Sequence, residues 1–245
     1  MTVDEANISA EVLPGDVTGR WFNSAAFDVN DPWKGLNPAR AAFVLVDLIN
    51  WQAHPDGTSL QLLRKGGSVP QADFVTKRCE TVLLPTLKSL LPVARSCGMH
   101  VLHARLISRA PDYRDAVPAF QGYLRAAEAR DGSWAGQVLD GLEAPGDISV
   151  AKRGSGAFTG SELDTILRNL DIDTVFYAGV VTNACVLLSV ASGFDLGYRQ
   201  YLVTDCTAAL SERDQEDAER FIGAYLAQLV TAEDTTAALK RVAAS

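Results

Sequence analysis

From Ala41 onward the chain alternates short, unbroken apolar runs with longer stretches in which apolar residues recur every three or four positions. AAFVLVD (41–47) is apolar up to a terminal carboxylate, the pattern of a strand buried on both faces. MHVLHAR (99–105), ISVAK (148–152), TVFYAGVV (174–181) and RQYLVTD (199–205) repeat it, and a last strand is predicted near AQLVT. Between them the helical period dominates. One long helical pattern runs through TKRCETVLLPTLKSLLPVARSCG, with Gly98 as its stop and with Pro85 and Pro92 expected to kink or divide it. Ser161 is expected to open a helix, SELDTILRNL, with Asp164 as a weaker capping-box partner. Further helices are predicted over 184–195 and 212–225. Residues 106–146, rich in Gly, Pro and charge, read as an irregular insertion with a helical patch near 119–130.

This βαβ rhythm implies an α/β fold: a Rossmann-like, doubly wound, mostly parallel sheet of five to six strands with helices on both faces. Residues 1–38 carry no sustained period and several Pro and Gly, so they are expected to form an N-terminal arm, with one domain over 39–245. The crossovers of such a sheet are right-handed, which puts every strand's carboxyl end on one edge, where ligands bind.

Composition narrows the function by exclusion. Of 245 residues, 47% are apolar, enough for a sizeable core, yet no apolar run approaches a membrane span. The formal charge of −8 and the lack of a dense basic face argue against a nucleic-acid partner. MTVDEANISAEV is acidic and polar, unlike a secretory or transit segment, and a cytoplasmic location is expected. The four cysteines, Cys79, Cys97, Cys185 and Cys206, lie far apart without a CxxC pair, so free thiols are expected.

The strand exits then carry the interest. Asp47, His103 and Arg105, Lys152, the segment Gly179–Cys185, and Asp205 all fall there. Each has an ordinary reading alone: Asp as a helix cap, Lys as a solvated charge, Cys as core filler. A carboxylate, an ammonium and a thiol reaching one edge from three strands weakens those readings together. Cys185 opens a helix, where the dipole and a neighbouring Lys favour a thiolate; Cys79, Cys97 and Cys206 lack that context and are assigned to packing. A thiol nucleophile usually takes a histidine base. His100 begins its strand at the wrong end, His103 is expected to point into the sheet, and His54 lies in a loop. Asp47 is left as the candidate base. Trp51 and Phe158 are candidate walls of a substrate pocket, and Arg105 a candidate partner for a substrate carboxylate or for an internal salt bridge.

FVLVDLIN, KRGSGAFTGSELDTIL and GVVTNACV, in this order and spacing, resemble the isochorismatase-like cysteine hydrolases, a superfamily that includes nicotinamidases and N-carbamoylsarcosine, ureidoacrylate and biuret hydrolases. The resemblance covers roughly residues 38–235. It implies Cys185 as nucleophile, Asp47 as general base and Lys152 as third member of a triad. It also implies a cis peptide at Val180–Val181 that aims the N–H groups of Val181 and Cys185 at one point as an oxyanion hole, with Thr182 and Asn183 supporting the turn. Two departures stand out. The family commonly has Asp-Met-Gln after its first strand, where this chain has Asp47-Leu48-Ile49-Asn50, so hydrogen bonds made by that Gln must be absent or supplied elsewhere. Nicotinamidases carry an Asp-x-His…His cluster, where His54 here stands alone with Asp56; a tight site needs three or four ligands, and neither a metal nor another cofactor is expected.

The activity implied is hydrolysis of the C–N bond in a small carboxamide or ureido compound through a thioester. A vinyl ether hydrolase of the isochorismatase type needs no thiol, and Cys185 argues against it. A catalytically idle binding or oligomerisation module is the third reading. Family analogy implies a homo-oligomer, a dimer or tetramer. GxGxxG, GxxxxGK[ST] and GxSxG motifs are absent, which leaves dinucleotide, P-loop and serine-elbow chemistry without support.

Overall fold

A computed structural model describes residues 31–244. Six strands form one sheet: β1 (Ala41–Val46), β2 (His100–Leu106), β3 (Ile148–Lys152), β4 (Thr174–Val180), β5 (Arg199–Ala208) and β6 (Gln228–Val230). Their order is β3-β2-β1-β4-β5-β6 and every pairing is parallel. The order reverses between β1 and β4, the switch point at which such sheets open a crevice.

Both faces are covered, as the near-continuous apolar strands require. Alternate residues of β1 go to opposite sides. Phe43 and Leu45 join Phe176, Tyr201 and Val203 beneath one helical layer. That layer contains α1 (Asn50–Ala53), α2 (Thr58–Lys65), α3 (Val69–Arg78), α4 (Leu84–Ser96) and the C-terminal α9 (Ala232–Ala243). Ala42, Val44 and Val46 join Leu102, Val175, Tyr177 and Leu202 on the other side. There α6 (Leu163–Asn169), α7 (Leu187–Asp195) and α8 (Glu212–Tyr225) complete the cover. A third cluster, with Ile49, Trp51, Leu106, Tyr113 and Leu124, seals the carboxyl end of β2 under the insertion, whose one helix is α5 (Pro118–Ala127).

Several expectations are corrected. Pro85 and Pro92 do not divide the long helix. A π turn at Cys79–Leu83 links α3 to α4, and its wider hydrogen-bonding absorbs Pro85, which lacks an N–H. Pro92 sits on the solvent side of α4. Ser161 does not open α6; its hydroxyl accepts from the Leu163 N–H, and Asp164 accepts instead from Tyr198 and Arg168. Helices α1, α2 and α9 add to the reading from sequence. β5 is longer than expected: Leu202 pairs with Tyr177 but Thr207 with Gly179, so the intervening residues bulge out. Arg78 donates to the carbonyls of Thr204 and Thr207 and holds that bulge.

The expected arm at 1–38 falls outside the described residues over 1–30. Its described part packs on the sheet: Trp33 stacks on Tyr201 at 5.0 Å, Tyr201 on Phe176 at 4.4 Å, and Leu36 is buried. Among the described residues no helix is long and apolar enough to cross a membrane.

Candidate active site

Asp47 is the first residue after β1, and its backbone adopts a left-handed conformation with φ 55°, which Asp tolerates better than most residues. Its N–H donates to the Ala104 carbonyl at 2.9 Å, and its Oδ1 accepts from the Leu106 N–H at 2.8 Å. These bonds lock the carboxylate against the end of β2. Lys152 ends β3, two strands away, a gap of roughly 10 Å that its four-carbon stem bridges. Its Nζ lies 2.7 Å from Asp47 Oδ2, and both side chains are fully buried. Two Nζ protons go to the carbonyls of Ser155, at 2.6 Å, and Gly154, at 3.0 Å. The contact with Oδ2 is a close ion pair, and Oδ2 takes no directed hydrogen bond among the described residues. A buried carboxylate oxygen of that kind is an acceptor in waiting.

Cys185 completes the group from the exit of β4. The Val180–Val181 peptide is cis, and a π turn at Thr182–Val186 leads into α7. Gly179 makes the approach feasible: at φ 132° it faces Val46 so closely that a Cβ there would lie 2.0 Å from the Val46 carbonyl oxygen. The start of the turn is pinned by Gln215 of α8. Its Oε1 accepts from the Thr182 hydroxyl and the Ala209 N–H, both at 2.8 Å, while its Nε2 donates to Thr207 and Glu219. Nothing in the sequence marked Gln215, whose partners lie in three separate segments. Ser189 ties the other side, donating to the Cys185 carbonyl at 2.6 Å and accepting from the Ala157 N–H. Asn183 Oδ1 is buried without a partner among the described residues.

The thiol of Cys185 is buried, 6% exposed, lies in the field of both Asp47 and Lys152, and has the Ser155 hydroxyl 3.4 Å from Sγ. Burial pushes its pKa up to about 11; Asp47 adds to the rise, and Lys152 and Ser155 oppose it without reversing it. The expectation of a resting thiolate is therefore corrected. The helix start does not outweigh desolvation, and the resting group is a thiol beside an acceptor for its proton. Burial raises Cys79 to about 12 and Cys206 well above the usual thiol range, as suits packing residues. Cys97 is half-buried, with Sγ donating to the Leu239 carbonyl.

The remaining candidates have partners of their own. His103 is buried and bonded through Nε2 to Asp147 at 2.9 Å, part of a network with Arg95. His54 accepts from the Asp56 N–H and packs edge-on against Trp134. Arg105, a candidate for a substrate carboxylate, is committed to Asp131, Ser149 and the Gly136 carbonyl. Trp51 is buried with Nε1 donating to the Leu106 carbonyl, and Phe158, in the same packed cluster as Cys185, stacks on Tyr198 at 5.7 Å. Asp205 sits in the β5 bulge and lines a cavity of about 640 Å³ between α4 and α9, whose lining includes none of Asp47, Lys152 and Cys185. A second cavity of about 440 Å³ opens past β2 between Ser108–Arg109 and residues 130–133. The residues that replace Met-Gln are apolar and dry: Leu48 packs under the α3–α4 layer, and Ile49 is fully buried with Trp51 and Leu106. The carbonyls of Gly154 and Ser155 take two of the three Nζ protons of Lys152.

Known proteins share this framework. The solved cysteine hydrolase from Pseudomonas syringae superposes with a TM-score of 0.70 at 23% identity, covering 84% of this chain and 95% of that one. N-carbamoylsarcosine amidase from Thermoplasma acidophilum gives 0.60 at 24%, over 79% and 97%. In sequence, ureidoacrylate amidohydrolase RutB from Caulobacter segnis is 29% identical over 70% of this chain and 74% of its own length. The isochorismatase family protein YwoC of Bacillus subtilis is 38% identical over 36% of this chain, about half its own length at 47%. Residues 70–234, more than half of the chain, match the isochorismatase domain as a family model, and the chain therefore belongs to the isochorismatase family.

Proposed function

We propose that this isochorismatase-family hydrolase is a cysteine-dependent amidohydrolase that cleaves the C–N bond of a small carboxamide, ureido or carbamoyl compound. The observation that carries the reading is the buried trio itself: a thiol in the field of a buried carboxylate whose Oδ2 stands 2.7 Å from an ammonium. Asp47 takes the Sγ proton as the thiolate attacks the substrate carbonyl carbon. Charge is conserved across this transfer. The negative charge moves from Asp47 to sulfur, and Lys152 neutralises it in either place. The N–H groups of Val181 and Cys185 hold the oxyanion. Asp47 returns its proton to the departing nitrogen, the C–N bond breaks, and a thioester remains. Water then attacks that carbonyl, giving its proton to Asp47. The S–C bond breaks, the acid leaves, and Cys185 regains its proton from Asp47.

The relatives support the substrate class, since one is named a ureidoacrylate amidohydrolase and another an N-carbamoylsarcosine amidase. The test is a panel of carboxamides, ureido acids and biuret scored by ammonia release, run beside Cys185→Ala. Release that depends on Cys185 is the expected result, with activity falling by three orders of magnitude or more in the variant. Ammonia production that survives the substitution would remove the thiol from the mechanism.

A further inference from the structure

We propose that Ser155 is a further catalytic residue of this site, its hydroxyl donating a hydrogen bond to the Cys185 sulfur as that sulfur loses its proton. This rests on the reading of Cys185 as nucleophile. Ser155 makes two contacts with the trio by different parts of itself. Its backbone carbonyl accepts from Lys152 Nζ at 2.6 Å, and its Oγ stands 3.4 Å from Cys185 Sγ.

In the resting thiol either atom can donate across the Oγ–Sγ contact. Once the proton has moved to Asp47 the sulfur can only accept, so the hydroxyl must become the donor, and the bond gains strength from the charge. The interaction is therefore stronger after proton transfer than before it, which is the condition for lowering a barrier. Few groups compete for this role. The charged side chains that reach the sulfur are Asp47 from the exit of β1, which disfavours the thiolate while ionised, and Lys152 from β3, which favours it. The other neighbours in its cluster, Ala157, Val186 and Val190, are apolar and stabilise no anion. The loop that carries Ser155 is held in register independently, by the Ala157–Ser189–Cys185 chain of hydrogen bonds and by close packing of Gly156 on Leu188.

Ser155→Ala separates the two contacts, since it removes the hydroxyl and keeps the carbonyl that holds Lys152. The measurement is the rate of iodoacetamide alkylation of Cys185, read by mass spectrometry across pH 7–9, where the rate follows the thiolate fraction. Loss of a charge-assisted bond worth about one pKa unit lowers that fraction roughly tenfold. The more basic thiolate is intrinsically more nucleophilic, which leaves a net slowing of roughly threefold at every pH. Ser155→Thr, which keeps a hydroxyl, is expected to stay close to the parent, and circular dichroism should report the parent fold for both. An alkylation rate in Ser155→Ala equal to the parent's overturns the proposal. So does a Thr variant as slow as the Ala variant, because the rate would then not follow the presence of the hydroxyl. Alkylation needs no substrate, so this outcome is distinct from a failure of the amidohydrolase reading, which shows as turnover surviving Cys185→Ala.

Discussion

At the residue scale the candidate site joins a buried thiol to two buried charges, neither of which is stable alone in an apolar setting. Asp47 and Lys152 are each fully buried, and desolvating either charge is tolerable because the other stands 2.7 Å away. Breaking such a pair by removing one member costs more than the pair itself contributes, because the remaining charge stays buried. Lys152→Met is accordingly expected to destabilise the protein by about 3–5 kcal/mol. Urea unfolding would register that loss as a lower midpoint, and a midpoint equal to the parent's would show that the pair carries no such burden. The same apolar setting sets the state of the thiol. With its pKa pushed to about 11, Cys185 is protonated at neutral pH, and parent alkylation is expected to accelerate steadily from pH 7 to 9 without reaching a plateau.

At the scale of elements, the strands supply direction and the turns supply aim. β1, β3 and β4 end at one edge because every strand of the sheet runs in the same direction. That places three side chains within reach of each other without orienting any of them. Orientation comes from the Leu106 N–H on Asp47, from two carbonyls on Lys152, and from Gln215 on the turn that leads to Cys185. Gln215 is 2% exposed and has every hydrogen-bonding group it carries satisfied. Gln215→Leu would strand the Thr182 hydroxyl and the Ala209 N–H. A loss of about 2–3 kcal/mol is expected, together with reduced turnover as the turn loosens. Turnover and thermal midpoint measured on the same preparation check both halves, and a variant with parent activity would show that the π turn holds its shape without this amide.

For the whole molecule, a second buried polar network braces the sheet's far side. Asp147, before β3, takes a bidentate pair from Arg95 of α4 and a hydrogen bond from His103 of β2, with only 3% of its side chain exposed. Burial pushes the Asp147 pKa up, but the bonds from His103 and Arg95 prevail and hold it at about 2. A carboxylate depressed in the folded state stabilises the fold above its unfolded pKa, near 4, and loses that contribution as pH falls through its folded value. The protein is therefore expected to lose on the order of 2 kcal/mol between pH 4 and pH 2 through this group. Asp147→Asn should show a smaller fall in urea midpoint than the parent across that window; equal falls would assign the acid sensitivity to other carboxylates. Solved relatives near 18–26% identity retain the framework, which is what a sheet buried on both faces allows, since many apolar combinations fill it.

Much of this was legible before any coordinates, for a local reason. Period-2 and period-3.6 patterns and unbroken apolar strands such as Ala41–Val46 report burial directly, so the α/β class and most elements follow from the chain. Asp47, Lys152 and Cys185 were also visible as candidates, because each stands at or shortly after the end of a strand that the pattern marks. What the chain could not disclose depends on groups brought together from far apart. The β5 bulge carries Asp205 into another cavity, Arg105 finds Asp131 and Ser149, and Gln215 reaches Thr182 from thirty-three positions away. The protonation of Cys185 belongs here too: a helix start argued for a thiolate, and the depth of the sulfur beneath packed side chains reversed it. Periodicity encodes which way a residue faces; desolvation and polar partnership are set by neighbours that only folding assembles.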